Sequence, residues 1–284
     1  MANIVAFIDG STYARSVCDH TAWIAARCQA PVELYHILGR RETDSAPANL
    51  SGSIALGART ALLQELSQLD AERGKLLQKR GRALLEDAED RLKAAGCAAV
   101  SLRLRFGDLV ETLDAIAEET EILVIGKRGE AANFAKGHLG SNLERVVRAS
   151  HRPVFVAARA FTPPQRFLIA YDGGVSSLKA VDYIARSPLF AGLACHVLTV
   201  GPEGPEAQRR LDDAKATLAA GGYAVTTEIA EGQPDKVIAE AVEQRGMDLL
   251  VMGAYGHARI RSLIIGSTTT AMVRLCKVPV VLFR

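Results

Sequence analysis

The stretch Leu249-Leu-Val-Met-Gly-Ala-Tyr-Gly-His-Ala-Arg-Ile-Arg-Ser-Leu-Ile-Ile-Gly-Ser-Thr-Thr-Thr270 decides the fold of this chain. An apolar run ends at Gly253, Gly256 follows after two residues, and Gly266-Ser267 comes nine residues later, where a helical pattern begins. Glycines let the main chain approach an anion closely, and the N–H groups and dipole at a helix start attract that anion. Ser267 would cap the helix or donate to a phosphate oxygen. The pattern predicts a strand, a phosphate-binding loop and a helix; a connection whose glycines serve packing alone is the alternative.

The same landmarks occur twice along the chain. The matching pairs are Ile4-Val-Ala-Phe-Ile-Asp-Gly-Ser11 with Phe167-Leu-Ile-Ala-Tyr-Asp-Gly-Gly174, Ile122-Leu-Val-Ile-Gly-Lys-Arg-Gly129 with Leu249-Leu-Val-Met-Gly-Ala-Tyr-Gly256, Gly140-Ser141 with Gly266-Ser267, and Pro153-Val-Phe-Val with Pro279-Val-Val-Leu. Two copies of one domain explain such a repeat. We place the domains at 1–160 and 166–284, on either side of the proline-containing segment 161–165.

Each copy alternates short apolar runs with helical patterns, which is typical of βαβ units and a buried parallel sheet. Five strands and four helices per copy predict a small doubly wound α/β domain. Such sheets bind ligands at the carboxyl ends of their strands. Asp9 and Gly126, and their counterparts Asp172 and Gly253, fall at predicted strand ends.

An insertion at about 43–95 distinguishes the first copy, which is longer than the second by more than thirty residues between strands two and three. Leucines recur there on roughly helical spacing with charged residues between them. One interpretation is a long amphipathic helix on its own sheet, bent or broken at Gly74 or Gly81. The other is an arm that packs against the other domain or another subunit.

Composition excludes several classes of partner. A net charge of +2 over 284 residues does not favour nucleic acid, and no run approaches the roughly 18 apolar residues of a membrane span. The N-terminus lacks the pattern of a signal peptide, and the five cysteines are scattered, which is typical of reduced thiols. We expect a soluble cytoplasmic protein.

The aspartate that ends the first strand, together with G-2x-G-9x-G(S/T) after the fourth, resembles the universal stress protein family in its tandem two-domain form. The resemblance covers essentially the whole chain. It implies two Rossmann-like domains of the adenine nucleotide alpha hydrolase-like type, each a five-stranded parallel sheet of order 3-2-1-4-5 with helices on both faces. It also implies that 154–157 lies antiparallel to 280–283. One branch of the family binds ATP through this motif; another lacks the motif and does not.

The resemblance assigns a nucleotide site to the second copy. Asp172 would contact the adenosine moiety, Val200 would offer backbone groups to the adenine edge, and the motif glycines and hydroxyl residues would hold phosphate. The residues that follow from the motif are Gly253, Gly256, Gly266, Ser267 and Thr268. The loop residues His257, Arg259 and Arg261 would screen phosphate charge or form a solvated basic loop.

The first copy departs from this motif. The counterparts of the site residues are Asp9, Ile37, Gly126, Gly129, Gly140 and Ser141. Ten residues separate Gly129 from Gly140, and Glu130 places a carboxylate beside the loop, where like charges repel. Lys127, Arg128 and Lys136 would supply compensating charge. We therefore predict nucleotide in the second copy and a weaker or empty site in the first.

The predicted function is that of a nucleotide-responsive regulatory or stress-tolerance module that binds ATP, with ADP or AMP as further candidates and Mg²⁺ accompanying the nucleotide. A structural or interaction protein with empty pockets is one alternative, and a weak ATPase is another. Only His138 and His257 flank the phosphate loops as acid–base candidates, and no catalytic or metal-binding residue is assigned. Asp172-Gly-Gly-Val-Ser-Ser177 only faintly resembles the loop of ATP pyrophosphatases. Homodimer formation stays open.

Overall fold

The computed structural model describes residues 2–39, 56–129, 141–254 and 266–284, without the side chains of 56–61 and 141. The strands of the first half are β1 (Asn3–Phe7), β2 (Val32–Leu38), β3 (Val100–Phe106), β4 (Thr120–Gly126) and β5 (Val154–Ala157). Its helices are α1 (Ala14–Cys28), α2 (Leu56–Ala94), α3 (Leu109–Ile116) and α4 (Ser141–Ala149).

The second half repeats this order of elements. Its strands are β6 (Arg166–Ala170), β7 (Ala194–Val200), β8 (Val225–Ala230), β9 (Leu249–Gly253) and β10 (Val280–Phe283). Its helices are α5 (Val175–Arg186), α6 (Pro205–Ala220), α7 (Pro234–Gln244) and α8 (Ser267–Leu275), with a short 3-10 helix at Pro188–Phe190 that the sequence pattern did not predict.

All the strands join in a single ten-stranded sheet of order β3-β2-β1-β4-β5-β10-β9-β6-β7-β8. Each half is parallel within itself and has the order 3-2-1-4-5, so the predicted fold class is confirmed. The halves meet through β5 and β10, which run antiparallel with Val281 opposite Phe155. This is the pairing that the family resemblance implied.

Both faces of the sheet are buried in its central strands, which are apolar on both sides, whereas the edge strands β3 and β8 are only partly buried. Alternate residues of β5 point to opposite faces: Phe155 belongs to the core beneath α1, α2, α5 and α6, whereas Val154 and Val156 belong to the core beneath α3, α4, α7 and α8. Every side chain of β5 and β10 is buried. The two halves therefore share two continuous hydrophobic layers.

The internal repeat appears in equivalent hydrogen bonds. The amide of Ile8, one residue beyond β1, donates to the carbonyl oxygen of Tyr35 at 2.8 Å. Its counterpart Tyr171, one residue beyond β6, donates to Leu198 at 2.8 Å. The sequence offset that aligns Asp9 with Asp172 thus also aligns the backbone around them. The domain limits 1–160 and 166–284 stay a prediction.

Helix α2 is continuous over 39 residues, so the predicted break at Gly74 or Gly81 is wrong, whereas the bend stays a prediction. Its C-terminal part packs on its own sheet through Leu85, Ala88 and Leu92, which are buried. A Cβ atom on Gly81 would lie 2.7 Å from Cδ2 of His36. Gly81 therefore permits close helix–sheet contact, and the expectation of a helix on its own sheet holds for this part of α2.

Side chains also connect the halves outside the sheet. The Arg27 guanidinium on α1 donates to the carbonyl oxygens of Leu189 and Ala191 in the second half, and it stacks 5.3 Å from the centroid of the Trp23 ring. On the other side, Arg284 donates to the carbonyl oxygen of Arg148 at the end of α4. Side-chain hydrogen bonds between the halves thus add to the backbone hydrogen bonds between β5 and β10.

All five cysteines are free thiols. Burial raises the pKa of Cys18 and of Cys195 to about 12, so both remain protonated at neutral pH. Within the described ranges, no helix combines the length and the apolar character that crossing a membrane needs.

Substitution of the two glycines of α2 by alanine should change stability in opposite directions. Gly74 has no atom within 4 Å of an added Cβ, so Gly74→Ala should raise the free energy of unfolding by about 0.5–1 kcal/mol through better helix propensity. At Gly81 the methyl group meets His36, which a 2.7 Å contact to the Ile8 carbonyl holds in place, so Gly81→Ala should lower it by about 1–3 kcal/mol. Urea denaturation of both variants measures this, and a stabilised Gly81→Ala protein would contradict the packing described.

Candidate functional site

In the second half, the carboxyl ends of β6, β7 and β9 lie at one edge of the sheet, with β6 between the other two. This edge carries Asp172, Val200 and Gly253. Val200 is the last residue of β7 and is half-buried, and Gly253 is the last residue of β9. Because β7 and β9 lie on opposite sides of β6, the connections that follow these two strands diverge here. Doubly wound sheets bind ligands at such a point.

The Asp172 carboxylate is oriented by its own turn. Its Oδ1 atom accepts a hydrogen bond from the amide of Gly174 at 2.9 Å and from the Ser177 hydroxyl at 2.7 Å. Gly173 between them has φ +72°, in the left-handed region that favours glycine. The exposed carboxylate is thus held at the start of α5 in a fixed direction.

The glycine turn after β9 is fastened to the start of α8. The amide of Gly266 donates to the carbonyl oxygen of Ala254 at 3.2 Å. The Thr269 hydroxyl contacts the carbonyl oxygens of Gly253 at 3.2 Å and Ala254 at 3.3 Å. Sequence reasoning missed Thr269, although the run Thr268-Thr-Thr270 was a signal that hydroxyls concentrate at this helix start.

The start of α5 also meets this turn. A Cβ atom on Gly253 would lie 3.0 Å from Cβ of Ser176 and 3.5 Å from the amide nitrogen of Ser177. The absence of a side chain at Gly253 therefore brings the first turn of α5 against the end of β9, which is a packing reason for the first motif glycine. The N-termini of α5 and α8 consequently face the same turn, and both attract negative charge.

One part of the prediction for Ser267 is wrong. Gly266 is the N-cap residue of α8 and Ser267 is the first helical residue, with an exposed side chain. Ser267 therefore does not cap the helix, because its hydroxyl lies beyond the cap position. Thr268 follows it and is half-buried. The predicted loop residues Gly256, His257, Arg259 and Arg261 lie outside the described residues.

Arg210 on α6 is a second residue that sequence reasoning missed. Its Cδ atom lies 2.9 Å from the position of a Cβ on Gly173, so the side chain covers the Asp172 turn. An ion pair with Glu206, one helical turn earlier, fixes the guanidinium. Nothing in the sequence pointed to this residue, because Arg210 is far from the motif and reaches the site only through the packing of α6.

The first half builds a related arrangement around Asp9. The Asp9 Oδ1 atom accepts from the amide of Ser11 at 3.0 Å, and Gly129 lies so close that its Cβ would be 3.0 Å from Oδ2. Tyr13, the counterpart of Ser176, lies 2.8 Å from the position of a Cβ on Gly126. The first strand end, the glycine turn and the start of α1 therefore converge here too.

The other predicted residues of the first half are only partly described. Ile37 is half-buried within β2, which ends one residue later at Leu38. Arg128 is half-buried beside the glycine turn. Ser141 begins α4, but its side chain lies outside the described residues, as do Glu130, Lys136, His138 and Gly140.

Lys127 does not compensate phosphate charge, contrary to the prediction. Its side chain is buried, and Nζ donates to the carbonyl oxygens of Cys276 and Val278 in the second half. Burial lowers the pKa of this lysine to about 8. Because these carbonyls follow α8, the ammonium lies at the negative end of that helix dipole. The Lys127 side chain thus connects the glycine turn of the first half with the C-terminal end of α8. Gly266 and Ser267 lie at the other end of this helix.

The two candidate sites face opposite edges of the sheet. Strands β5 and β10 are antiparallel, so the carboxyl ends of the first parallel set point away from those of the second. The two candidate sites therefore lie at opposite ends of the strands.

The chain is similar to proteins of one known family. The family model described as "Universal stress protein family" matches residues 1–158 and 202–284. The universal stress protein Slr1230 of Synechocystis sp. is 35% identical over 287 residues, which cover 100% of both chains. The chain belongs to the universal stress protein family.

Solved structures agree with this universal stress protein fold. A universal stress protein from Archaeoglobus fulgidus DSM 4304 superimposes with a TM-score of 0.73 at 20% identity and covers 99% of this chain and 98% of that one. PA1789 of Pseudomonas aeruginosa PAO1, a functionally unknown protein, has a TM-score of 0.60 at 16% identity and covers 100% and 92%. At these identities the two structures establish the fold alone.

Replacement of Lys127 by methionine should remove a pH-dependent component of stability. The folded-state pKa of about 8 lies below the ordinary value of 10.5, so the unfolded chain holds this proton more tightly. Wild-type stability relative to Lys127→Met should therefore rise between pH 8 and 10.5, by at most about 3 kcal/mol. Denaturation of both proteins across this range measures the difference. Lys179→Met, at an exposed lysine that also donates to a carbonyl, is the control, and equal pH profiles for all three proteins would contradict the burial of Lys127.

Proposed function

We propose that the second half of this universal stress protein binds an adenine nucleotide, most favourably ATP, and that nucleotide occupancy regulates how the protein interacts with partners. The observation that carries this proposal is the convergence of two helix starts, those of α5 and α8, on the glycine turn at 253–254 beside the Asp172 carboxylate.

The chemistry of each group suits one part of the nucleotide. Asp172, held by Gly174 and Ser177, offers carboxylate oxygens to the ribose hydroxyls. Val200 at the end of β7 would present its backbone to the adenine edge. The first N–H groups of a helix have no intrahelical acceptor, so the start of α8 at Gly266, Ser267 and Thr268 would receive phosphate. ADP or AMP would use the same groups, and Mg²⁺ would enter with the phosphates.

Four features support a weaker site in the first half. Ten residues separate Gly129 from Gly140 where the motif has nine, and Glu130 adds a negative charge to the loop. Lys127 is directed away, to Cys276 and Val278, so it cannot neutralise phosphate there. Tyr13 also replaces Ser176 next to the glycine turn. We therefore propose that this half keeps the fold and contributes less to nucleotide affinity.

Interaction without nucleotide is the second candidate function, and the exposed leucines Leu69 and Leu76 on α2 favour it for the first half. A weak ATPase is a further alternative, whose acid–base candidates His138 and His257 lie outside the described residues. The division into domains 1–160 and 166–284 belongs to the same proposal, because it gives each candidate site a complete five-stranded sheet.

Matched substitutions of the third motif glycine test the assignment. Gly266→Val should weaken ATP binding by about 100-fold or more, because a branched side chain would occupy the approach of phosphate to the main chain. Gly140→Val, the equivalent change in the first half, should alter the dissociation constant for ATP by less than about 3-fold. Isothermal titration calorimetry with ATP measures both variants. Loss of binding in Gly140→Val with retention in Gly266→Val would reverse the assignment of the two halves.

Thermal unfolding provides a second readout for the same proposal. A ligand at about 100 times its Kd stabilises the folded state by about 2.7 kcal/mol, so ATP should raise the melting temperature of the wild type. Asp172→Ala should reduce this shift, whereas Asp9→Ala should largely retain it. An unchanged melting temperature in millimolar ATP would refute nucleotide binding.

A further inference from the structure

Helix α2 carries two different apolar stripes. The sheet stripe packs on β2, β3 and α1 and consists of Gly81, Leu85, Ala88 and Leu92. The arm stripe lies nearer the N-terminus of the helix and consists of Leu62, Leu66, Leu69 and Leu76. Leu69 is 60% exposed and Leu76 is 65% exposed, whereas Leu62 and Leu66 are half-buried. Each member of the sheet stripe is buried.

The arm stripe is not a continuation of the sheet stripe. At about 100° of rotation per residue, the four arm leucines fall within roughly 80° of one another, and their mean direction lies roughly 115° from that of the sheet stripe. The positions that continue the sheet stripe into the arm are Leu63, Ser67, Asp70 and Gly74, and Leu63 is 47% exposed. The four leucines of the arm stripe therefore point in a different direction from the sheet stripe.

The spacing of the arm stripe suits a partner helix. Residues 62, 66, 69, 73, 76 and 80 alternate steps of four and three, the period of helices that pack along one seam. Arginines replace leucine at 73 and 80. A segment of this length extends about 28 Å, which is enough for several turns of contact.

Charge along the arm is segregated. Between 62 and 80 the acidic residues Glu65, Asp70 and Glu72 come first, and the basic residues Arg73, Lys75, Lys79 and Arg80 follow. Two such helices in parallel would place like charges side by side. In antiparallel orientation each acidic half lies next to a basic half, and the same patch serves both chains, as a two-fold axis requires.

We propose that two copies of this chain associate through residues 62–80 of α2, packed antiparallel with the arm leucines between them. The self-complementary order of charges identifies a second copy as the occupant, since an unrelated partner would not need it. This interface is separate from the β5–β10 pairing and from the candidate nucleotide site, so it does not depend on the proposed function.

Substitution of the arm leucines tests the interface. Sedimentation velocity of the full chain should show a dimer. Leu69→Glu/Leu76→Glu should raise the dissociation constant of this dimer by about 100-fold or more, because each of the two chains loses two exposed leucines from the interface. Ala71→Glu is the matched control: it adds charge to an exposed position of the same helix, on the side opposite the arm stripe. It should change the dissociation constant by less than about 3-fold. Far-UV circular dichroism should match the wild type for both variants.

Charge reversal tests the antiparallel orientation. Glu65→Lys/Glu72→Lys makes most of the arm basic, and Lys75→Glu/Lys79→Glu makes most of it acidic; all four positions are exposed. Each variant alone should dimerise more weakly than the wild type, because antiparallel arms then bring like charges together. Parallel arms already pair like charges, so neither variant would weaken a parallel dimer. An equimolar mixture should recover dimers, which checks that charge causes the loss.

Three outcomes would overturn the proposal. The first is a wild type that stays monomeric at 100 times the concentration used for purification, which would mean that the arm stripe is covered by the same chain. The second is a dimer that Leu69→Glu/Leu76→Glu leaves intact, which would place the interface elsewhere. The third is a pair of charge variants that each dimerise as tightly as the wild type, which would exclude antiparallel arms.

Discussion

The antiparallel pairing of β5 with β10 is the constraint on which the rest of this structure depends. Each strand is a short apolar segment buried on both faces, and an unpaired edge of that kind would expose unsatisfied backbone groups and aggregate. Pairing turns two parallel sheets into one ten-stranded sheet. In the tandem chain, the backbone groups of this edge therefore form their hydrogen bonds within one molecule. An isolated domain would have to pair the same edge with another molecule.

Reversal of strand direction at this join has a consequence for function. It sends the two candidate sites to opposite edges and brings the glycine turn of the first half next to the end of α8. Lys127 uses that proximity to reach the carbonyls of Cys276 and Val278, while Arg284 reaches the end of α4. A cation from each half thus lies at the negative end of the other half's last helix, where it is stabilised by the dipole.

The two halves have the same strand arrangement and differ in the residues and connections around it. The two halves share strand order, the hydrogen bonds around Ile8 and Tyr171, and a carboxylate fixed by the following turn. They differ in the length of the connection after the second strand, in Tyr13 against Ser176, and in the buried residue that follows the glycine at the end of the fourth strand, which is Lys127 in one half and Ala254 in the other. A common fold can therefore carry a nucleotide site in one half and an interaction surface in the other.

The sequence by itself determined the strands, the helices, the repeat and the edge of the sheet that carries the candidate site, because these follow from local periodicity and from glycine or aspartate at strand ends. Only the tertiary structure decided the direction of Lys127, the contact of Arg210 with the Asp172 turn and the role of Thr269, since each depends on atoms remote in the chain. It also decided the continuity of α2. Gly74 and Gly81 each weaken a helix locally, by up to about 1 kcal/mol, and the packing of Leu85, Ala88 and Leu92 on the sheet outweighs that cost.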